Sequence, residues 1–444
     1  MNSADLGRRV GVPSTALFTD QYELTMVQAA LKAGTAGRHS VFEAFTRRLP
    51  EGRRYGVVAG TGRVLDAVEN FHFDDEMIGF LRQQRIVDEP TLEWLAGYRF
   101  SGDIWGYPEG EVYFPGSPIL RVEGSFAECV LLETVILSIL NHDSAIAAAA
   151  SRMSAAAGGR RLIEMGARRT HELSAVASAR AAYVGGFDAT SDLAAGFRYG
   201  IPTVGTSAHA FTLLHDTERD AFRAQVDSLG RGTTLLVDTY DVTEAVRAAV
   251  EIAGPELGAV RIDSGDLLLV AHRVRQQLDE LGATSTKIVV TSDLDEYAIA
   301  SLAAAPVDAY GVGTQLVTGS GHPTCSMVYK LVARAGAADA GAGAPLVPVA
   351  KKSMGAKSSV GGRKWAARRM DEGGVAEAEV IGTGAVPEGL VGRELLVELV
   401  RGGEVVAREP LEAARERHVA ARAGLPMSAM QLSRGEPVIG TEYV

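Results

Sequence analysis

The sequence predicts an α/β chain built around a β/α barrel, irregular or incomplete, that follows an N-terminal α/β domain. Three observations predict it. From residue 161 onward short apolar runs alternate with helical stretches, and strand–helix alternation implies parallel strands with crossover helices. Before residue 125, short β-prone pieces are separated by Gly and Pro, the texture of antiparallel pairs. At the junction, Ser125 and Glu128 stand at capping-box spacing, so a helix opens there with its first orphan donors satisfied. The chain therefore divides into an α/β domain over 1–125, a barrel over 126–335 and a C-terminal segment over 336–444.

In order along the chain, Thr19 is placed to cap a helix that carries Leu24, Val27 and Leu31 on one face and stops at Gly34. Residues 40–46 read as a strand, and Asp103-Ile-Trp-Gly-Tyr107 and Pro118-Ile-Leu-Arg-Val122 as further strands. The apolar helix over 127–150 is interrupted by Glu128, Glu133, His142 and Asp143, too charged for a comfortable bilayer span. Barrel strands are expected at 161–164, 203–205, 234–237, 259–262, 287–290, 309–313 and 327–332, with helices between them such as 264–281 and 295–304. Seven repeats at this spacing favour a barrel; a doubly wound open sheet is the alternative. The rest reads as a Gly/Ala linker over 337–348, a basic run over 351–369, strand character over 387–406 and a helix over 410–424.

Composition narrows the function. With 44 Lys and Arg against 55 Asp and Glu, the chain carries a net charge of −11 and lacks the basic footprint of a nucleic-acid binder. A local cationic pocket can still oppose that sign and take an anionic substrate. The two cysteines, Cys129 and Cys325, make neither a disulfide framework nor a Cys-rich zinc site and point to a reducing compartment. Residues 1–11 have no apolar core, so no signal peptide is predicted, and the expected location is cytoplasmic.

Polar residues follow one strand after another: Arg168 and Arg169; Thr206, Ser207 and His209; Asp238 and Tyr240; Asp263 and Asp266, with Arg261 at the strand's end; Ser292 and Asp293; Gly313 and Thr314. In a β/α barrel these strand ends open on one face, so the residues would share one mouth. Arg presents a fork of donors matched to phosphate or carboxylate. Gly311-Val-Gly-Thr314 lets backbone N–H groups approach an anion, and the Asp residues suit Mg²⁺ carried on substrate phosphates. Each group also has a plainer reading. Gly311–Thr314 alone is a strand-end turn. Asp263-Ser-Gly-Asp266 alone is a helix start, capped by Asp263 or Ser264 with Asp266 complementing the dipole. His209 alone is a satisfied histidine, and Tyr22 a packing residue. The basic run is a solvated face, or a mobile loop in which Lys352, Ser353, Lys357 and Ser358 grasp phosphate.

Taken together, these pieces resemble the nicotinate phosphoribosyltransferase family. The motifs are Thr19-Asp-Gln-Tyr-Glu-Leu-Thr-Met26, Phe42-Glu-Ala-Phe-Thr-Arg-Arg-Leu-Pro50, Gly166-Ala-Arg-Arg169, Gly185-Gly-Phe-Asp188, Gly205-Thr-Ser-Ala-His209, Arg261-Ile-Asp-Ser-Gly-Asp-Leu267, Gly311-Val-Gly-Thr314 and Val328-Tyr-Lys-Leu-Val332, followed by the Lys/Gly-rich stretch 351–364. Their order and spacing cover nearly the whole chain. The resemblance implies a type II phosphoribosyltransferase-like barrel with an N-terminal α/β sandwich and a C-terminal segment packed back on both. It implies that nicotinate is joined to 5-phosphoribosyl 1-diphosphate, with ATP and Mg²⁺ as cofactors and His209 phosphorylated in passing. Tyr22 and Thr206 would line the nicotinate pocket, and Arg168 and Arg261 would hold its carboxylate or the diphosphate. Gly313 and Thr314 would hold the 5-phosphate, and Asp263 would serve the ribose or the metal; no residues are assigned as dedicated metal ligands. A homodimer with shared sites is implied through Tyr22, with neither nucleic acid nor membrane as partner.

Two positions depart from the family pattern. Met165 stands where relatives often carry an aromatic that stacks on the pyridine, and methionine also packs on aromatic faces. Asp192 stands where nicotinate-using relatives usually show Asn, and nicotinamide phosphoribosyltransferases resemble this chain with Asp there. A carboxylate at 192 would accept from an amide and repel a carboxylate. Nicotinamide as the ring substrate is thus one alternative, and a non-catalytic barrel that binds a phosphorylated metabolite is another.

Overall fold

The computed structural model of the protein describes residues 13–351, 359–389 and 392–444. Two expectations, the phosphate-grasping side chains at 352–358 and the leaderless stretch 1–11, lie outside the described residues. The chain forms two compact units, one from residues 1–148 and 322–444 and one from residues 149–321.

The first unit is built on a seven-stranded sheet in the order Leu346–Pro348, Met327–Ala335, His39–Thr46, Leu120–Ser125, Asp103–Gly106, Val397–Arg401 and Glu404–Val405, antiparallel throughout. Met327–Ala335 corrects the sequence reading. Its apolar run was expected as a barrel strand, but it pairs antiparallel with His39–Thr46. A fully buried run of this kind reads the same in either sheet. The expected linker over 337–348 is the loop and return strand of a hairpin, with Leu346 opposite Ala335. A four-stranded sheet follows, in the order Arg393–Glu394, Lys364–Met370, Ala376–Thr383 and Gly440–Tyr443.

Helix Gln21–Lys32 forms as its apolar spacing predicts and buries Leu24 and Val27, but its N-cap is Asp20 rather than Thr19. The Thr19 hydroxyl instead donates to Glu23. The Ser125–Glu128 capping box is complete. Beyond it, Glu133–Ala157 is a 25-residue helix. The helical run Phe126–Ala157 is long and apolar enough to cross a membrane by composition, yet 67% of its apolar window is buried, as in a core helix. Cys129 and Cys325 are both buried free thiols. Burial pushes the Cys129 thiol up, and that of Cys325 to about 11, so both pack as inert apolar groups.

One ion-pair cluster is embedded in this unit. Arg368 is 2% exposed. It donates to Glu111 at 2.8 Å, to Glu379 at 2.6 Å and to the carbonyl of Val112 at 2.8 Å. Tyr107 donates to the other oxygen of Glu379 at 2.7 Å. Arg368→Ala takes the cation from the buried Glu379 and leaves Glu111 with Arg393 alone at 2.8 Å, so we expect a loss of about 3–5 kcal/mol, read as a fall in denaturation midpoint.

The second unit carries a six-stranded parallel sheet in the order Ala189–Thr190, Arg161–Glu164, Ala309–Val312, Lys287–Ser292, Ala259–Ile262 and Thr234–Leu236. Leu162, Val260, Ile262, Ile288, Val290, Tyr310 and Val312 are buried in it. Helices connect most of the strands, including Glu172–Val184, Glu218–Leu229, Val242–Ala253 and Leu267–Glu280. Each strand reads as a short continuous apolar run because both faces are covered. The two edge strands are not paired to each other, so the sheet is an incomplete barrel, as predicted. The expected strand at 203–205 reduces to a single bridge between Thr203 and Thr190. The strand beside it, Ala189–Thr190, is two residues long and carries too little pattern to be seen in sequence.

Candidate active site

Parallel register brings the strand ends to one edge. Val312 lies opposite Glu164 and Ser292, Val290 opposite Ile262, and Arg261 opposite Leu236. The residues that follow each strand therefore leave the sheet on the same side, which is where open and closed α/β sheets place their ligands.

Arg261 is the hub of this edge. It sits on strand Ala259–Ile262, largely buried, with its donors divided among four groups. Nε donates to Thr291 Oγ1 at 3.0 Å. Nη1 donates to Thr206 Oγ1 at 3.0 Å and to the Ser207 carbonyl at 3.3 Å, and Nη2 to Asp263 Oδ1 at 3.2 Å. Thr291 donates its own hydroxyl to the same Asp263 oxygen. Burial opposes ionisation of Asp263, but the hydrogen bonds from Thr291 and Arg261 and the charges of Arg261 and His209 outweigh it. The carboxyl is held below its usual range. Asp263 was open to being a helix cap. The cap is Asp266, which accepts from Leu269 N–H at 3.2 Å, and this leaves Asp263 to face Arg261.

From Asp263 the polar chain reaches the imidazole. The Asp263 N–H donates to Asp238 Oδ2 at 3.0 Å, and Ser264 Oγ donates to the same oxygen at 2.6 Å. Asp238 Oδ1 lies 3.9 Å from His209 Nε2, an ion-pair distance longer than a hydrogen bond. His209 Nδ1 is 3.2 Å from Thr239 Oγ1. The imidazole is 42% exposed, whereas the Asp238 side chain is 2% exposed. Arg261, Asp263, Asp238 and His209 thus form one connected arrangement at the strand ends.

The neighbouring loop is tied down by Glu164. Its carboxyl accepts from Thr190 Oγ1 at 2.5 Å and from the Gly166 N–H, and burial pushes it up despite these bonds. That loop carries Arg168, exposed in the short turn Ala167–Arg169 and without a partner among the described residues. Met165 packs beside Gly311 and Thr291. A Cβ at Gly311 would sit 2.5 Å from Thr291 Cγ2 and 2.6 Å from Met165 Sδ, so only glycine admits this approach. Gly313 ends the same strand and opens the turn Thr314–Val317. Asp192 caps helix Leu193–Tyr199, accepting from Ala194 and Ala195 N–H at 2.8 and 3.1 Å.

Tyr22 belongs to the other unit, on helix Gln21–Lys32. It is 47% exposed. Burial and the charges of Glu133, Glu23 and Asp20 push its phenol up to about 12, so it stays a neutral hydroxyl. Asp238 stood on the predicted rim without a role, and Thr239, Thr291 and Glu164 carried no signal beyond their strand positions. For Mg²⁺, the donor set fits an ion shared with substrate phosphates. Asp263 is an ionised carboxylate whose second oxygen is uncommitted among the described residues. No group of three or more His, Cys, Asp or Glu side chains suited to a metal occurs among those residues.

Comparison with known proteins gives the same direction. A family model described as the nicotinate phosphoribosyltransferase (NAPRTase) N-terminal domain matches residues 17–141, and one described as the nicotinate phosphoribosyltransferase (NAPRTase) family matches residues 160–369. The chain is 55% identical over 451 aligned positions to nicotinate phosphoribosyltransferase pncB1 of Mycobacterium tuberculosis, covering 98% of each. It is 39% identical to the nicotinate phosphoribosyltransferase of Bacillus subtilis, covering 72% of this chain and 67% of that one. The crystal structure of human nicotinic acid phosphoribosyltransferase superposes with a TM-score of 0.81 at 25% identity, covering 96% of this chain and 97% of that one. The chain belongs to the nicotinate phosphoribosyltransferase family.

Proposed function

We propose that this enzyme joins nicotinate to 5-phosphoribosyl 1-diphosphate, yielding nicotinate mononucleotide and diphosphate for NAD salvage, and that it couples the reaction to ATP hydrolysis through a phosphorylated His209. The observation that carries the reading is the connected set Arg261, Asp263, Asp238 and His209 at one sheet edge. Nothing in strand packing calls for a half-exposed imidazole beside a buried carboxylate.

The residues divide the work as follows. Arg261 and Arg168 supply guanidinium donors for the nicotinate carboxylate or the departing diphosphate, whose charge grows as the C1–O bond breaks. Gly313 and Thr314 receive the 5-phosphate, Thr206 lines the ring pocket, and Tyr22 reaches the pocket of the second subunit in the homodimer. Asp263 serves the ribose, or would hold Mg²⁺ together with substrate oxygens; the ion would supply charge neutralisation on the diphosphate. The Asp238 carboxylate, 3.9 Å from Nε2 of His209, favours a proton on that nitrogen, which leaves the Nδ1 lone pair, facing the Thr239 hydroxyl at 3.2 Å, as the nucleophile. Nδ1 takes the γ-phosphoryl group of ATP and ADP leaves; water later removes the phosphoryl group as phosphate. The phosphoryl group adds about 1.5–2 negative charges beside this rim, enough to change the affinity for the sugar diphosphate between the two states.

We further place the enzyme in the cytoplasm, in keeping with its two buried free thiols. We propose a homodimer, consistent with Phe18 and Tyr22 in one unit, and Phe197, Leu214 and Tyr240 in the other, lying exposed.

Product analysis tests the reading. Nicotinate and nicotinamide compete in one reaction with ATP, Mg²⁺ and the sugar diphosphate; nicotinate mononucleotide is expected as the main product. Predominance of the nicotinamide product, or ligand binding without diphosphate release, would refute it. Asp192→Asn keeps the oxygen that caps its helix, so stability should change by no more than a few tenths of a kcal/mol. Removal of the charge should lower the KM for nicotinate about fivefold, the equivalent of roughly 1 kcal/mol. An unchanged KM in steady-state kinetics would assign Asp192 to capping alone.

A further inference from the structure

The chain that leaves the turn Thr314–Val317 takes three left-handed residues in a row: Gly319, Ser320 and Gly321, with φ of +62°, +51° and +83°. The two glycines adopt this conformation freely, whereas a serine is strained in it. A third glycine would suit the backbone better, so the serine hydroxyl is the part to account for. Ser320 Oγ donates to Glu296 Oε2 at 2.7 Å. Glu296 opens helix Glu296–Ser301, and its other oxygen accepts from Arg152 Nε at 2.9 Å. Arg152, on helix Glu133–Ala157, also donates from Nη2 to the Tyr297 hydroxyl at 3.3 Å, and its guanidinium lies 5.8 Å from the centre of that ring. The Arg152 and Glu296 side chains are 6% and 2% exposed. A buried charge-assisted pair is short, strong and little screened, so Ser320 is tied to a fixed point.

On its other side Ser320 is joined to the turn. Its N–H donates to the Gln315 carbonyl at 2.7 Å, and the Gly319 N–H to the Leu316 carbonyl at 2.9 Å. The Thr318 N–H and Oγ1 both donate to the Thr314 carbonyl, at 3.1 and 2.9 Å. The Leu316 and Val317 N–H groups donate to the Gly313 carbonyl at 3.2 and 3.3 Å. Each carbonyl from Gly313 to Leu316 is thereby used inside the segment 313–320.

We propose that Glu296 is a positioning residue for the sugar diphosphate: by holding Ser320 it fixes the far end of the turn, and so the placement of Gly313 and Thr314. The proposal rests on the reading of Gly313 and Thr314 as the 5-phosphate site. An anion cradle works through N–H and hydroxyl donors held in place before the anion arrives. Carbonyls folded into the turn and an end anchored to a buried ion pair provide that rigidity. Glu296 acts through Ser320 and not by contact with the sugar.

The test is steady-state kinetics with the KM of each substrate resolved. Ser320→Gly removes the hydroxyl and keeps the backbone conformation. Its KM for 5-phosphoribosyl 1-diphosphate should rise about tenfold, in the range of a lost hydrogen bond to a charged group, while kcat and the KM for nicotinate stay within about twofold. Glu296→Gln keeps a polar group that can pair with Ser320 and should lie close to wild type, whereas Glu296→Ala should match Ser320→Gly. The double variant Ser320→Gly with Glu296→Ala should be no worse than the worse single one, because either change breaks the same link. A wild-type KM in Ser320→Gly, fold-changes that multiply in the double variant, or an equal loss in kcat and both KM values overturns the proposal. Should Glu296→Ala not fold, because it strips Arg152 of its carboxylate, Ser320→Gly and Glu296→Gln still decide.

Thr314→Ala separates this tie from the reading of the site, since it removes a hydroxyl from the cradle itself and should raise the same KM. A rise in Thr314→Ala without one in Ser320→Gly overturns the tie and leaves the 5-phosphate assignment standing. A rise in Ser320→Gly without one in Thr314→Ala supports the tie and refutes the assignment of Thr314.

Discussion

An His209→Ala enzyme is expected to make nicotinate mononucleotide at the same slow rate with and without ATP. The argument is local. His209 is the half-exposed imidazole on the rim, and Asp238 behind it is buried and held from the far side by the Asp263 N–H and the Ser264 hydroxyl. That arrangement favours a proton on Nε2 and leaves Nδ1, which faces the Thr239 hydroxyl at 3.2 Å, as the attacking nitrogen. Alanine removes the attacking atom and little of the fold, because the ring buries little surface. The sugar diphosphate, the nicotinate pocket and Arg261 remain, so uncoupled synthesis persists. What disappears is the ATP response: no protein-bound phosphate, and no gain in rate or in affinity for the sugar diphosphate. Steady-state rates with and without ATP provide the check. Full ATP stimulation in this variant would remove His209 from the mechanism.

The largest loss of activity is expected at Arg261. Its guanidinium bridges Thr291, Thr206, the Ser207 carbonyl and Asp263, so it both organises the rim and supplies positive charge to it. Arg261→Lys retains the charge but not the planar fork, and an ammonium cannot reach all these acceptors at once. The kcat/KM of Arg261→Lys should fall by roughly 10²–10³, the usual cost of losing one preorganised donor at a site of developing charge. Arg261→Ala should fall further, because it also leaves Asp263 without its cation. A thermal melt separates this from unfolding, since Arg261 lies at the edge of the sheet rather than beneath it. Near-wild-type kcat/KM in Arg261→Lys would show that the fork is not used on substrate or on the transition state.

The parallel sheet was legible because it is covered on both faces, which turns each strand into a short apolar run followed by polar residues. Arg161–Glu164, Ala259–Ile262 and Lys287–Ser292 all read that way. The same logic misassigned Met327–Ala335, an equally apolar run whose antiparallel partner His39–Thr46 lies almost 300 positions earlier. Ala189–Thr190 was missed because two residues carry no period. At the site, Arg, His and Asp were visible as residue types after strands, and their order matched a family. The division of labour between Asp263 and Asp266 was not visible, since either can cap a helix and only the backbone path decides. Glu218 was invisible for a different reason: nothing in its sequence neighbourhood shows that one of its oxygens is buried in the fold. Desolvation belongs to the folded arrangement, not to the residue.

The most direct test of the central claim follows a radiolabelled γ-phosphoryl group from ATP onto the protein and off again. Mass spectrometry of the digested, labelled enzyme should place the phosphate on the peptide that contains His209. Addition of nicotinate and the sugar diphosphate should discharge it as phosphate while nicotinate mononucleotide forms. Synthesis at the full ATP-stimulated rate with no label on the protein, or with the label on another residue, would contradict the account.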